Sequence, residues 1–385
     1  MLIFGKKGKK IVTQEEIVSK LDQLKLPTSY VFTPINLAEE KEKFFDSETY
    51  NPVFKYKPVK NANASIIKEL ANIDVVSDVD PRVSSFYLKL IESKAEVDRL
   101  LNAVGENDLV TEISRSRFGR PSAKLFKNAS LVLRGKVDSY GLVDKKKGDR
   151  EFDYKDIEQI MKQFLVELGL NDWNVVKSER IADEGMKVGV KRKEVLLSME
   201  MSRSKQDLRK SIVHEIGTHV LRSYNGIYSG VPVLYKPNLP EYQDIEEGLA
   251  TYNEELMDVL TYDALKRKAT FSWLLYWGEN VSFRDLYNAM RSFLASNLAF
   301  DFAYRVKRGL GDTSLPGLYY KDVVYFRGYR RVRKAIAEDS SLYEKLYAGK
   351  ISMKQVSWVE DGLIPHPKLV PSVNKFNEIF KKLGI

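Results

Sequence analysis

Cysteine is absent from this 385-residue chain, and histidine occurs only three times. Without cysteine there are no disulfides, no thiolate metal sites and no cysteine nucleophile, so any metal must rest on His, Asp or Glu. Long apolar runs are missing too. The opening "MLIF" gives way to "GKKGKK", well short of a secretory core, and no later run approaches the roughly 18 residues a membrane helix needs. A soluble, cytoplasmic protein is the expectation. Internal repeats and low-complexity segments are also lacking.

What is present is enough apolar material, 43% of residues, to bury a sizeable core, and the length suits two domains or one large one. A formal charge of +9 favours acidic partners, through clusters such as Lys6 to Lys10, Lys145 to Lys147 and Arg330 to Lys334. Solvated basic faces explain the same charge, and no nucleic-acid-binding module is recognisable. Up to about residue 170 the pattern is helical. Thr13 and Glu16 form a capping-box signature, and periodic runs follow near 35–46, 62–72, 83–104 and 153–169. Between 172 and 200 short alternating or apolar spans, including "WNVVKS", "MKVGVKR" and "KEVLLSME", predict two or three strands. Helices then resume, and a soft boundary falls near 135–150.

Two of the three histidines stand in "SIVHEIGTHVLRSYNG", five residues apart. Ser204 and Asp207 signal an N-cap, and Leu208, Ile212, Ile216 and Val220 recur every four residues, which predicts a helix over about 205–223. On an ideal helix His214 and His219 would project about 140° apart, too far to share an ion. A one-residue π-type bulge around Ile216 to Thr218 restores the facing that a spacing of four gives, and Gly217 would tolerate the unusual backbone. Two neutral imidazoles suit Zn²⁺, and Glu215 directly after the first is placed to take a proton from water. His366, between prolines in "IPHPKLVP", reads as a loop residue rather than a ligand.

A third ligand is required. In "YQDIEEGLATYNEELMDVL" the residues Ile245, Leu249, Tyr252, Leu256 and Leu260 mark the core face of a second helix, with Glu247, Ala250 and Glu254 opposite. Glu247 suits a ligand, Ala250 a close approach of helices, and Glu254 the orientation of a ligating histidine. Glu246, about 100° round from Glu247, is the rival ligand.

"HEIGTH" followed by "EEGLA" resembles the microtubule-associated tyrosine carboxypeptidase family, whose bacterial relatives are labelled flavohemoglobin expression-modulating QEGLA-motif proteins. "TPINLAEEKEKF", "NPVFKY", "RFGRPS", "RSYNG" and "YKDVVYFRGY" extend the resemblance through much of the chain. It implies one Zn²⁺ per chain held by His214, His219 and Glu247, with Glu215 catalytic, and so favours Glu247 over Glu246. Glu246 stands where the bacterial label has Gln. The fold expected is α+β: a mostly helical, zincin-like metallopeptidase with a small mixed or antiparallel sheet bordering the active-site helix. A helical region, 1–140, would pack on a catalytic domain, 141–385.

The implied activity is a zinc-dependent metallocarboxypeptidase that releases a terminal Tyr or Phe from a peptide or protein tail, an acidic tail of tubulin in the eukaryotic members. A carboxypeptidase must hold a terminal carboxylate with a cation. Lys321, Tyr325 and Arg327 match the family's K-D-x-x-Y-x-R-G pattern and are the candidates. The strand at 194–200 is expected to form the upper cleft edge, where a substrate backbone could add. The rivals are a non-catalytic zinc-binding regulatory protein and an endopeptidase or aminopeptidase of the same chemistry. Intact Glu215 argues against the first, and an aminopeptidase would need an acidic anchor near the zinc.

Overall fold

The computed structural model describes residues 10–26, 31–59, 62–137, 139–144, 151–179, 185–237 and 239–385. The basic runs at 6–9 and 145–147 lie outside the described residues. The chain is α+β and mostly helical, with three small sheets among the described residues. No described helix is long and apolar enough to cross a membrane.

Two compact units divide the chain: Met1–Asn128, Asn238–Pro240 and Thr270–Val323 form one, and Ala129–Pro237, Glu241–Ala269 and Val324–Ile385 the other. The expected division into 1–140 and 141–385 is therefore corrected. The segment Thr270–Val323 joins the N-terminal unit because its aromatic rings complete that unit's core: Phe44 packs edge-on against Phe283, Tyr287 and Phe300. The same unit opens with the predicted capping box, in which Thr13 and Glu16 cap the helix Gln14–Gln23. Its longest helix, Pro81–Asn102, starts where Asp80 caps and Pro81 supplies a fixed φ.

The second unit is built on a mixed three-stranded sheet ordered Asn174–Lys177, Glu194–Leu197, Met186–Gly189. Asn174–Lys177 runs parallel to the central strand, and Met186–Gly189 runs antiparallel to it across a tight connection in which Lys193 takes a left-handed φ of 51°. Glu194–Leu197 is thus not the edge the sequence suggested. It has a partner on each side, and its alternate residues Val195 and Leu197 are buried while Glu194 and Leu196 are half-buried. Of this sheet's strands, Met186–Gly189, at its edge, packs against the π turn of the histidine helix.

One continuous apolar core joins the sheet's Val175, Val195 and Leu197 to Phe164, Phe376, Ile379 and Phe380. The predicted stripe Leu208, Ile212, Ile216 and Val220 is fully buried in it. Each such side chain stabilises the fold by about 1.5–3 kcal/mol relative to exposure, which fixes the rotation of the helix and points its other face at the second helix of the site.

Candidate metal centre

The histidine helix begins as α-helix over Lys205–His214, capped by Ser204, whose side chain accepts from the Asp207 N–H. It then widens into a π-helix over Glu215–Val220 and resumes as α-helix at Leu221–Ile227. The reason is legible in the apolar spacing. A strict period of four drifts about 40° per repeat on an α-helix, and one extra residue swings Val220 back toward the direction of Leu208. Gly217 lies in this turn, but its φ is not in the left-handed region. Space explains it instead: a Cβ there would meet the Phe376 ring at 3.2 Å.

The π turn brings the two imidazoles side by side, with ring centroids 5.0 Å apart. One ligand atom from each of His214, Glu215 and His219 lies within 4.8 Å of the others. Glu247, on the helix Pro240–Leu256, brings its Oε2 to 3.7 Å from His214 Nε2. Each histidine is aimed from behind. His214 Nδ1 is 2.7 Å from Glu254 Oε1, and His219 Nδ1 is 2.7 Å from Glu246 Oε1. Both Nδ1 atoms are taken, so Nε2 is the nitrogen each ring has left for a ligand.

Those two rear carboxylates are buried, each 2% exposed, and each is matched by cations. Lys268 Nζ donates to Glu254 Oε2 at 3.2 Å, while Arg222 and Lys350 both donate to Glu246. Burial works against ionisation of Glu254, but Lys268 and His214 overcome it and hold its carboxyl down at about 2. Glu246 is held lower still, against its burial, by Lys350 and Arg222. His214 shows the converse: burial disfavours its proton, yet Glu247 and Glu254 raise it to about 10. Carboxylate charge at this centre therefore favours a cation. The front groups remain partly open, with side chains 20% exposed at His214, 14% at His219 and 23% at Glu247, so a small ion and a substrate can reach them. Two imidazoles and a carboxylate, with Nδ1 fixed behind, fit zinc by donor type.

Of the sequence candidates, His214, Glu215, His219, Glu247, Glu254 and Gly217 all meet here. The helix geometry that set Glu247 against Glu246 as ligand had no place for what Glu246 does, which is to orient His219. Arg222, Lys268 and Lys350 went unsuspected. Arg222, three residues after His219 on the same helix, was the signal available. His366 lies in an exposed loop 3.4 Å from Glu344, away from the centre.

The family profile of the microtubule-associated tyrosine carboxypeptidases matches residues 42–383. The chain belongs to this family. Microtubule-associated tyrosine carboxypeptidase 1 of Homo sapiens is 26% identical over 348 residues, and that of Mus musculus 26% over 334, covering 86% and 84% of this chain. The chain spans 60% of the length of these two relatives. An M32 carboxypeptidase from Deinococcus radiodurans R1 aligns over 97% of this chain and 96% of its own at 13% identity, with a TM-score of 0.32, too low to bear on the fold.

The family's K-D-x-x-Y-x-R-G segment divides between the two units. Lys321 sits in the 3₁₀ turn Tyr320–Asp322 of the first. Tyr325 and Arg327 stand on the helix Val323–Glu338, in its second-unit part. Arg327 is forked onto the buried Asp244, with Nε and Nη2 donating at 2.8 and 2.7 Å. The "RRVRK" cluster on this helix is likewise engaged inside the unit. Arg330 donates to the Tyr140 hydroxyl, and Arg333 to Glu255.

Proposed function

We propose that the chain is a zinc-dependent carboxypeptidase that releases a C-terminal Tyr or Phe from a peptide or protein tail. The carrying observation is the pair of adjacent imidazoles, each locked at Nδ1 by a buried carboxylate, with the Glu215 carboxylate beside them. His214, His219 and Glu247 would hold the ion. Zinc, when bound, supplies Lewis acidity that polarises the scissile carbonyl and makes water a nucleophile near neutral pH.

The chain's own groups supply the remainder. Glu215 accepts a proton from the attacking water and passes it to the departing amine, so the released amino acid leaves neutral at nitrogen. Glu254 and Glu246 keep the imidazoles in one tautomer and orientation. Met186–Gly189, an edge strand against the π turn, is the proposed rail for the substrate backbone, replacing the central strand. Within the second unit the terminal carboxylate is assigned to Tyr325 and Arg327, on the strength of the family pattern. Arg327 would contribute while keeping its fork on Asp244.

Metal analysis of the purified chain should find about one zinc, lost in His214→Ala and in Glu247→Ala. Undiminished zinc in both variants would refute the ligand set. Digestion of peptides with varied C-termini, read by mass spectrometry, should show loss of a single terminal Tyr or Phe. Internal cuts or N-terminal trimming would move the reading to another peptidase class, and zinc without turnover to a binding protein.

A further inference from the structure

The π turn that faces the two histidines leaves one main-chain group without its ordinary helical partner. In an α-helix the Leu221 N–H would close on the Gly217 carbonyl four residues back. Here it closes on Ile216 and Thr218 instead. A buried carbonyl left unpaired costs about 1–3 kcal/mol, a standing pull toward re-registering the turn as α-helix. The Tyr347 hydroxyl meets it, donating to the Gly217 carbonyl oxygen at 2.8 Å.

Tyr347 does not act alone. Asn253 Nδ2 lies 2.6 Å from the Tyr347 oxygen and 2.7 Å from Thr218 Oγ1, and the Tyr343 hydroxyl donates to Asn253 Oδ1 at 2.9 Å. Tyr347, Asn253 and Thr218 are all fully buried. Inside an apolar core such a network is worth having only when its members are satisfied together. Two of its members belong to the two elements that form the metal centre. Thr218 lies between the two histidines, and Asn253 immediately precedes Glu254, which aims His214.

We infer that Tyr347 and Asn253 form a clamp that holds the π register of Glu215–Val220, and so act as positioning residues for the zinc ligands. The inference rests on the zinc reading above. If the clamp lets go and the turn reverts to α-helix, His214 and His219 swing apart by about 140° and share no ion. Hydroxyl loss at position 347 should therefore weaken metal binding without touching any ligand.

The test compares wild type, Tyr347→Phe and Tyr329→Phe. Tyr329 is another fully buried tyrosine of the same unit, but its hydroxyl donates to Glu255 at 2.7 Å, so it controls for the general loss of a buried hydroxyl. Zinc affinity is read by chelator competition, and ligand geometry by the visible absorption of the Co²⁺-loaded chains. Tyr347→Phe should lose roughly 10-fold or more in zinc affinity, the scale set by residues that orient ligands, and change the Co²⁺ spectrum. Tyr329→Phe should do neither. Wild-type affinity and spectrum in Tyr347→Phe would overturn the clamp while leaving the zinc reading intact. Equal losses in both variants would reduce it to ordinary stability. A wild-type chain that takes up no zinc would overturn the reading itself, and this inference with it.

Discussion

Glu215 and Glu246 differ by role although both are carboxylates beside a histidine. Glu215, the proposed base, is partly open at the centre; on exchange for Gln, zinc should stay on the proposed ligands and turnover should fall by roughly 10²-fold or more, the scale of general acid–base catalysis. Glu246 is enclosed between His219, Arg222 and Lys350. Glu246→Gln leaves two buried cations short of their counter-charge, and removing one partner of such a group costs about 3–5 kcal/mol. Urea unfolding should show that loss, and chelator competition should show weaker zinc binding as well. The ligand candidates were legible because histidine is so scarce here and the E-G-L-A motif is specific. The rear groups were not, since Lys350 lies 104 residues from Glu246 and no local pattern connects them.

At the scale of elements, the π turn was legible from one conflict: two histidines that must converge, on a spacing that an α-helix would make diverge. The order of the strands was not. Each short run fits a strand, but nothing in "EVLLSME" distinguishes a central strand paired on both sides from a cleft edge. Equally hidden was the part played by glycine in the second helix. Ala250 was the expected point of close approach, whereas Gly248 lies against the backbone of Gly328 on the helix Val323–Glu338, and a Cβ on either would collide with main chain. Gly328→Ala should therefore force Pro240–Leu256 aside, costing about 1–3 kcal/mol as overpacking does. Because that helix carries Glu246, Glu247 and Glu254, zinc affinity should fall with stability. Retention of full affinity in a destabilised Gly328→Ala chain would separate helix contact from the metal centre.

Across the whole molecule, the main helices before residue 170 and the strands between 172 and 200 were readable from periodicity, but the parallel pair Lys10–Val12 and Ile73–Val76 and the return of Thr270–Val323 to the first unit were not. That return depends on aromatic rings meeting over more than 200 residues, as Phe44 does with Phe283. The same returning segment carries a charge lock. Asp322 is fully buried, and against that burial Arg305 and Arg308 hold its carboxyl at about 2. Its folded value lies below the ordinary unfolded value of about 3.9. The stabilisation is therefore complete above about pH 5 and is lost as pH falls toward 2, on the order of 2 kcal/mol. Asp322→Asn should lower stability at pH 7 and flatten its decline between pH 5 and 2 in urea titrations; an unchanged acid limb would show that other groups dominate. The central claim concerns chemistry at one end of a polypeptide, and one measurement meets it directly: mass spectrometry of a Tyr-terminated peptide after incubation with the zinc-loaded chain, beside its Glu215→Gln variant. Loss of the single terminal Tyr is expected with the first and an intact peptide with the second. An intact peptide with the zinc-loaded wild type, or equal trimming by both, would contradict it.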